Sequence, residues 1–372
     1  MQAEQLFRQA LYCFGQQNVT QGMLLLKQAA EAGLPSAVLF YADRLFKDDK
    51  AAAYDYLERA WQQGVAGALH RRALLQFFFD EPTELSRIFL DLHQEAEQGH
   101  LHSLIALLAM LNDSPCAQYY QALLTRHAGD LAEQLIEVSS QATTPSYTST
   151  QLQAAFIDAV TQSTTFHTEV VAAEISLIVA KRALPDIACE YLKLRFGPLL
   201  KPAMVVDPKT GQPMQDPYRT GSMLALGPEY LDWIVLEAER KMSAFANFPR
   251  AHGEVTNIIH YAKAQRYLPH YDAILGQGDQ FNVALQNGGQ RMLTVLAYLH
   301  TVETGGETEF PKLALQVNAC QGDLLMFHNI NADGHLLELS YHAGNPVLTG
   351  EKWILSKWAR QCVTDYGTLV YR

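Results

Sequence analysis

The sequence has few cysteines, no long apolar run and no excess of basic residues, so it lacks the features of a disulfide-bonded, membrane-spanning or nucleic-acid-binding protein. Its five cysteines are odd in number, widely scattered and free of any C-x-x-C pair, which predicts reduced thiols. No apolar run approaches the ~18 residues that cross a bilayer, and the first residues, MQAEQLFRQALYCFGQQ, lack the features of a secretory signal. A net charge of -11 opposes binding to the phosphate backbone of DNA or RNA. We therefore expect a cytoplasmic protein that binds neither membrane nor nucleic acid.

The 372 residues are enough for about two domains of roughly 100 to 200 residues each. Residues 1–138 have helical spacing and a loose repeat, in which a glycine ends one helix and a small residue begins the next. The three repeats contain Gly33 and Ala37, Gly64 and Ala68, and Gly99 and Ser103. Glycine suits a helix C-terminus because it adopts the left-handed conformation without a Cβ clash. The pattern predicts stacked helix pairs that form a short α-solenoid.

The A-x-x-G-x-x-x-A core of these repeats resembles Sel1-like repeats, which are relatives of the tetratricopeptide arrays. The resemblance covers roughly residues 20–110. A solenoid of this kind can serve as a packing module, or its groove can hold a protein segment. The sequence leaves both roles open.

The composition changes after the repeats. The segment SSQATTPSYTSTQ is typical of a loop, so we place a linker and connecting helix at 139–170. Helical patterns follow at about 151–195 and 228–247. Between them, MVVDPKTGQPM has two short extended runs around a Pro/Gly turn.

From Val255 onwards the pattern indicates strands. Short runs rich in β-branched and aromatic residues alternate with Gly, Pro and Asn turns, as in a β-sandwich or barrel. The runs are VTNIIHYA, RMLTVLAYLHTV, LALQV, DLLMFH, LLELSYH and KWILSKWAR. The predicted fold class is α+β multidomain, with the helical solenoid followed by a β-rich domain at 171–372.

The stretch YLPHYDAILGQ places His270 and Asp272 two residues apart, so both would face one side of a strand. A buried carboxylate is costly alone, but sharing a divalent cation with an imidazole removes that cost. Two His and one carboxylate leave three coordination positions open, the arrangement of non-haem Fe(II) oxygenases. The downstream candidates for a third ligand are His300, His328, His335 and His342.

The context of His342 favours it as the third ligand. It lies in SYHAGNPVLTGEKW, ten residues before Lys352 on the next predicted strand. A lysine there could reach the distal carboxylate of an acidic cosubstrate while the other end of that molecule chelates the metal. The competing interpretation of His270 and Asp272, a hydrogen-bonded polar pair, does not account for His342 and Lys352.

These residues carry a family resemblance: the chain resembles the prolyl 4-hydroxylase branch of the Fe(II)/2-oxoglutarate dioxygenases from about Ile175 to Arg360. The matching stretches are DPYRTGS, IIHYAKAQRYLPHYD, QRMLTVLAYLHTVETGGETEFP, QGDLLMFHN and SYHAGNPVLTGEKWILSKWAR. The resemblance implies a double-stranded β-helix, a jelly roll. Ala264, Glu338 and the R-T-G-S loop depart from the family pattern, and these loop changes bear on substrate identity.

The resemblance also implies roles for single residues. Fe(II) would be bound by His270, Asp272 and His342, and Lys352 would pair with the distal carboxylate of 2-oxoglutarate. The positions supporting the cosubstrate are Tyr261 and Thr294, and those on the substrate side are Arg219 and Arg291. The implied cofactors are Fe(II), 2-oxoglutarate and O2, with ascorbate as an accessory.

The function expected from the resemblance is hydroxylation of a prolyl residue in a protein or peptide, coupled to decarboxylation of 2-oxoglutarate to succinate and CO2. The helical repeats would hold the polypeptide. Two alternatives remain open. The enzyme could act on another acceptor, such as lysine, a free amino acid or a small metabolite, or the chain could be a helical-repeat adaptor with an inactive oxygenase domain.

Overall fold

The computed structural model describes residues 2–80, 84–136, 146–206, 213–215 and 218–371. The chain divides into two compact units, Met1–Thr161 and Gln162–Arg372, and the division falls inside the predicted linker region. The predicted loop residues 139–145 and the turn at 207–212 lie outside the described residues. Within the described part, none of the helices combines the length and the apolar character that crossing a membrane requires.

The first unit is built from helices alone, as far as it is described. Its helices are α1 Gln2–Gly15, α2 Val19–Glu31, α3 Pro35–Asp48, α4 Lys50–Gln62, α5 Ala68–Phe79, α6 Leu85–Glu97, α7 Leu101–Met110, α8 Ala117–His127, α9 Gly129–Leu135 and α10 Ser149–Gln162.

The predicted helix pairs are confirmed. Gly33, Gly64 and Gly99 follow α2, α4 and α6 with φ of +79°, +82° and +84°, which is the left-handed conformation that favours glycine. The small residues that open the next helices, Ala37, Ala68 and Ser103, are fully buried. A larger side chain at these three places would push the paired helices apart.

The described residues of the second unit form the strands and four more helices. Its strands are β1 His167–Ala172, β2 Leu177–Lys181, β3 Lys201–Pro202, β4 Met204–Val206, β5 Pro213–Gln215, β6 Ser222–Ala225, β7 Asn257–Tyr261, β8 Tyr267–His270, β9 Arg291–Tyr298, β10 Thr304–Gly305, β11 Thr308–Phe310, β12 Leu315–Val317, β13 Leu324–His328, β14 His342–Gly344, β15 Val347–Thr349 and β16 Lys352–Arg360. Its helices are α11 Asp186–Phe196, α12 Trp233–Ala246, α13 Asp279–Gln286 and α14 Asp365–Tyr371.

Two antiparallel sheets form the core of this unit. The larger has the order β1-β2-β13-β9-β16-β7-β6-β3, and the smaller has the order β12-β11-β14-β8. Their inner faces share one apolar core, where Leu296 and Ile354 of the larger sheet pack in the same cluster as Phe310 of the smaller one. The predicted fold class, a helical region followed by a β-sheet-rich jelly roll, is confirmed.

Two local predictions were wrong. The helical pattern at about 151–195 is interrupted, because β1 and β2 lie between α10 and α11. Strand β2 pairs with β13, far along the chain, so a non-local ladder overrides local helical spacing. The run LLELSYH is a single 3-10 turn, Glu338–Ser340, and a strand begins only at His342.

Candidate metal and cosubstrate site

His270 and His342 lie on neighbouring strands of the smaller sheet. They are register partners of the β8 and β14 pair, so the backbone ladder sets their spacing. Each Nδ1 lies 2.9 Å from a carbonyl oxygen two residues earlier, that of Leu268 or Ser340. A carbonyl only accepts, so each Nδ1 carries the proton and each Nε2 keeps its lone pair for a metal.

Asp272 completes the group, although it lies two residues beyond the end of β8 rather than in the strand. Its Oδ1 is 3.5 Å from Nε2 of His270, and its Oδ2 is 3.5 Å from Nε2 of His342. One ligand atom from each of the three residues lies within 4.8 Å of the others. The three predicted metal ligands are therefore brought together.

Electrostatics favour the protonation states that a cation requires. Burial acts to raise the pKa of Asp272, but the imidazoles of His342 and His270 and the hydroxyl of Thr294 hold that pKa well below its usual range. Burial lowers the pKa of His342 to about 4, with Asp272 opposing part of the shift. An ionised carboxylate beside a neutral imidazole at neutral pH is the donor set for a divalent metal.

Lys352 is the first residue of β16 and is buried. Its Nζ donates to the carbonyl oxygen of Gly306 at 2.7 Å and to Oγ1 of Thr308 at 3.3 Å. The Thr308 hydroxyl also lies 2.6 Å from the hydroxyl of Tyr298. Burial lowers the pKa of Lys352 to about 8, partly offset by Glu307. A desolvated ammonium with a third N–H to offer is suited to pair with a carboxylate.

One pocket contains both the metal ligands and Lys352. Tyr261, the register partner of Lys352 on β7, lines it. Arg219 lines it too, with Nε 3.4 Å from the Tyr261 hydroxyl and the guanidinium 5.0 Å from the ring centroid of Tyr267. Both predicted residues therefore lie on the wall of the pocket that contains the metal ligands and Lys352.

Two predicted residues are engaged elsewhere. The Thr294 hydroxyl donates to Oδ2 of Asp272 at 2.6 Å, rather than lying beside Lys352. Arg291 donates to Glu254 through Nε at 2.7 Å and Nη2 at 2.9 Å, and to the carbonyl oxygen of Asp272 through Nη1 at 3.3 Å. Neither lines the pocket. Thr294 thus hydrogen-bonds to the carboxylate of Asp272, and Arg291 to its backbone carbonyl. Spacing along the chain could not reveal either contact.

Thr308 and Trp358 are among the pocket residues that sequence reasoning missed. Thr308 lies beside Lys352, the place predicted for Thr294; its signal was the GGETEF segment of the stretch QRMLTVLAYLHTVETGGETEFP, which carries the family resemblance. Trp358 also lines the pocket, with the guanidinium of Arg291 3.7 Å from its ring centroid. Strand alternation could have found it, because Lys352, Ile354, Ser356 and Trp358 share one face of β16.

The residues present fit Fe(II). Two imidazoles and one carboxylate form the facial set of non-haem iron oxygenases, and each imidazole has a backbone carbonyl that fixes its tautomer.

Comparisons with known proteins agree with this chemistry. The sequence profile of the 2OG-Fe(II) oxygenase superfamily matches residues 256–360. Probable prolyl 4-hydroxylase 3 of Arabidopsis thaliana is 36% identical over 212 aligned residues, and the alignment covers 51% of this chain and 71% of that protein. Prolyl 4-hydroxylase 1 of the same plant is 35% identical over 211 residues, 53% of this chain and 73% of that protein.

Two solved structures are similar to about half of the chain. The viral collagen prolyl hydroxylase of Paramecium bursaria Chlorella virus-1, in its 2OG complex, is 24% identical with a TM-score of 0.38 and covers 49% of this chain and 94% of that one. A Pseudomonas putida prolyl-4-hydroxylase is 17% identical with a TM-score of 0.35 and covers 54% and 96%.

Proposed function

Because the chain belongs to the prolyl 4-hydroxylase-like 2OG-Fe(II) oxygenases, we propose that it hydroxylates a prolyl residue in a protein or peptide while 2-oxoglutarate is converted to succinate and CO2. The observation that carries the proposal is the presence of the His270, Asp272 and His342 group and of buried Lys352 in one pocket. An inactive scaffold has no physical need to keep a buried lysine beside a complete ligand set.

The metal would be held by His270, Asp272 and His342. Bound Fe(II), with 2-oxoglutarate and O2, supplies the oxidising power for inserting oxygen into a C–H bond. The three residues contribute two neutral imidazoles and one carboxylate, so one positive charge remains to attract an anionic cosubstrate. Ascorbate enters the proposal as an accessory reductant.

Lys352 would orient 2-oxoglutarate through the distal carboxylate. Its ammonium is fixed by the carbonyl of Gly306 and the hydroxyl of Thr308, and Thr308 can donate to the same carboxylate. Tyr261 adds a second hydroxyl on the pocket wall. Arg219 is the pocket cation that would meet the polar backbone of a peptide.

The helical unit would hold the polypeptide as a set of Sel1-like repeats. Support comes from three helix pairs with glycines in one conformation and with buried small residues at matching places: Gly33, Gly64, Gly99, Ala37, Ala68 and Ser103. The proposal places this activity in the cytoplasm, without nucleic-acid or membrane partners.

The test is Fe(II)-dependent succinate release with a proteome-derived peptide pool, read by mass spectrometry. We expect a +16 shift on proline that disappears without Fe(II) or 2-oxoglutarate. Oxidation of lysine, of a free amino acid or of a small metabolite in place of proline would assign another acceptor. No succinate release with any of these would favour the adaptor.

A further inference from the structure

Two fully buried polar residues, Thr294 and Asn329, form a hydrogen-bonded chain that ends at the metal ligand Asp272. Oγ1 of Thr294 is 2.6 Å from Oδ2 of Asp272, and Nδ2 of Asn329 is 3.0 Å from Oγ1 of Thr294. Neither Thr294 nor Asn329 lines the pocket. They can therefore reach a bound metal only through Asp272.

The donor direction along this line is fixed by chemistry. The ionised carboxylate of Asp272 can only accept, so Thr294 must give it the single hydroxyl proton. Thr294 can then only accept from Asn329, which requires the amide nitrogen of Asn329 to face it. The opposite orientation would place the Asn329 oxygen against a hydroxyl that has no second proton to give.

The fold leaves an acceptor unpaired in this arrangement. Oδ1 of Asn329 is buried and has no hydrogen-bond partner among the described residues. An unsatisfied buried polar atom costs about 1–3 kcal/mol. A hydrophobic residue of similar size would avoid that cost, so the amide is better explained by what its N–H does for Thr294.

Backbone contacts hold both residues in place. Asn329 follows β13 directly; its N–H donates to the Met292 carbonyl at 2.8 Å, and its carbonyl accepts from the Leu337 N–H at 2.9 Å. Thr294 lies in the middle of the larger sheet, where its register partners are Phe327 on β13 and Trp358 on β16. The backbone of the sheet thus sets where both side chains begin.

We propose that Thr294 and Asn329 are positioning residues that fix the carboxylate of Asp272 for metal binding and make no contact with the cosubstrate. The inference rests on the proposed function, since it requires a metal at His270, Asp272 and His342. With Oδ2 held by Thr294, the carboxylate cannot rotate freely about its Cβ–Cγ bond. Outer hydrogen bonds of this kind contribute about 10- to 100-fold to metal affinity.

The experiment measures two affinities in the full chain. Mn(II) binding is followed by electron paramagnetic resonance, and 2-oxoglutarate binding is followed by calorimetry at saturating Mn(II). Thr294→Val removes the donor at nearly constant volume, Thr294→Ser restores it, and Asn329→Leu removes the second donor. Thr308→Val is the matched control, because Thr308 lies beside Lys352 and is not hydrogen-bonded to a metal ligand.

We expect Thr294→Val to weaken Mn(II) binding about 10- to 100-fold, with 2-oxoglutarate affinity at saturating metal within about twofold of wild type. Asn329→Leu should act in the same direction, and Thr294→Ser should be close to wild type. Thr308→Val should instead weaken 2-oxoglutarate binding and leave Mn(II) affinity close to that of wild type. If Thr294→Val does not fold, Asn329→Leu provides the same test.

The inference is overturned if Thr294→Val and Asn329→Leu bind Mn(II) like wild type, or if they lose 2-oxoglutarate affinity at saturating metal as Thr308→Val does. Failure of the wild-type protein to bind Mn(II) would instead contradict the proposed function. The two failures are therefore distinguishable.

Discussion

His270 and His342 are register partners on adjacent antiparallel strands, with ring centroids 4.3 Å apart. The β8 and β14 ladder sets the spacing of the two residues that carry these imidazoles. Each ring is also fixed by its own backbone carbonyl. The backbone therefore positions both imidazoles, and removing one ligand should leave the others in place.

Asp272→Ala should abolish metal binding and succinate release while the protein stays folded. The substitution removes the only anionic ligand of the group, and the sheet that holds the two histidines does not depend on it. Mn(II) titration, succinate assay and circular dichroism check this. Glu174→Gln, at an exposed carboxylate of the same unit, is the control and should behave like wild type. Full turnover in Asp272→Ala would refute the ligand assignment.

The affinity for 2-oxoglutarate should fall about tenfold between pH 7 and pH 9. Burial lowers the pKa of Lys352 to about 8, so its ammonium is mostly protonated at pH 7 and mostly neutral at pH 9. Only the charged form attracts the distal carboxylate. Calorimetric titration at both pH values, with Mn(II) present, measures the change.

Lys352→Arg is the control for this pH effect, because a guanidinium stays charged across the range. Its affinity should be lower than that of wild type but nearly independent of pH. Equal pH dependence in wild type and Lys352→Arg would show that another group titrates. Lys352→Ala should raise the 2-oxoglutarate requirement strongly at every pH, and an unchanged requirement would remove Lys352 from this role.

The helical unit should lose stability in mild acid. Burial first, and then the neighbouring histidines, lower the pKa of His70 well below its usual value, and the same causes lower the pKa of His100 to about 4. The unfolded chain binds protons near the ordinary pKa of about 6.5. The contribution of these histidines to the free energy of unfolding is therefore complete above that pH, and it is lost as the pH drops from about 6.5 towards 4.

Hydrogen exchange read by mass spectrometry can follow this loss. After correction for intrinsic rates, α5 and α7 should exchange roughly tenfold faster at pH 5 than at pH 7. His100→Gln removes one of the titrating groups and should reduce the difference. Identical protection at the two pH values would contradict the expected destabilisation.

Glu254→Ala should destabilise the second unit by about 3 kcal/mol. Glu254 accepts hydrogen bonds from Arg291 and from buried Arg360, so its loss leaves two confined guanidinium groups without a counter-charge. Urea unfolding measures the effect. Glu174→Ala, at an exposed carboxylate, is the control and should change stability by less than about 0.5 kcal/mol. A similarly small loss in Glu254→Ala would show that the network contributes little.

Local features were predictable from the sequence because their causes are local. The helix-ending glycines Gly33, Gly64 and Gly99 take the left-handed conformation that their position in the repeat predicts. The run KWILSKWAR forms β16 over its whole length, since its β-branched and aromatic residues suit a strand. The four residues of the predicted centre, His270, Asp272, His342 and Lys352, could be named because their types suit a divalent metal and an acidic cosubstrate and because the stretches around them resemble the prolyl 4-hydroxylase branch.

What only the tertiary structure decided is which side chain meets which across the sheets. Sequence order cannot show that Thr294 bonds to Asp272 while Thr308 stands beside Lys352, because both are threonines on strands and the difference lies in strand register. Strand β2 likewise exists where helical spacing was expected, since its hydrogen bonds come from β13. Residue types set the local conformation and the available chemistry, whereas contacts between distant segments depend on how the whole sheet packs.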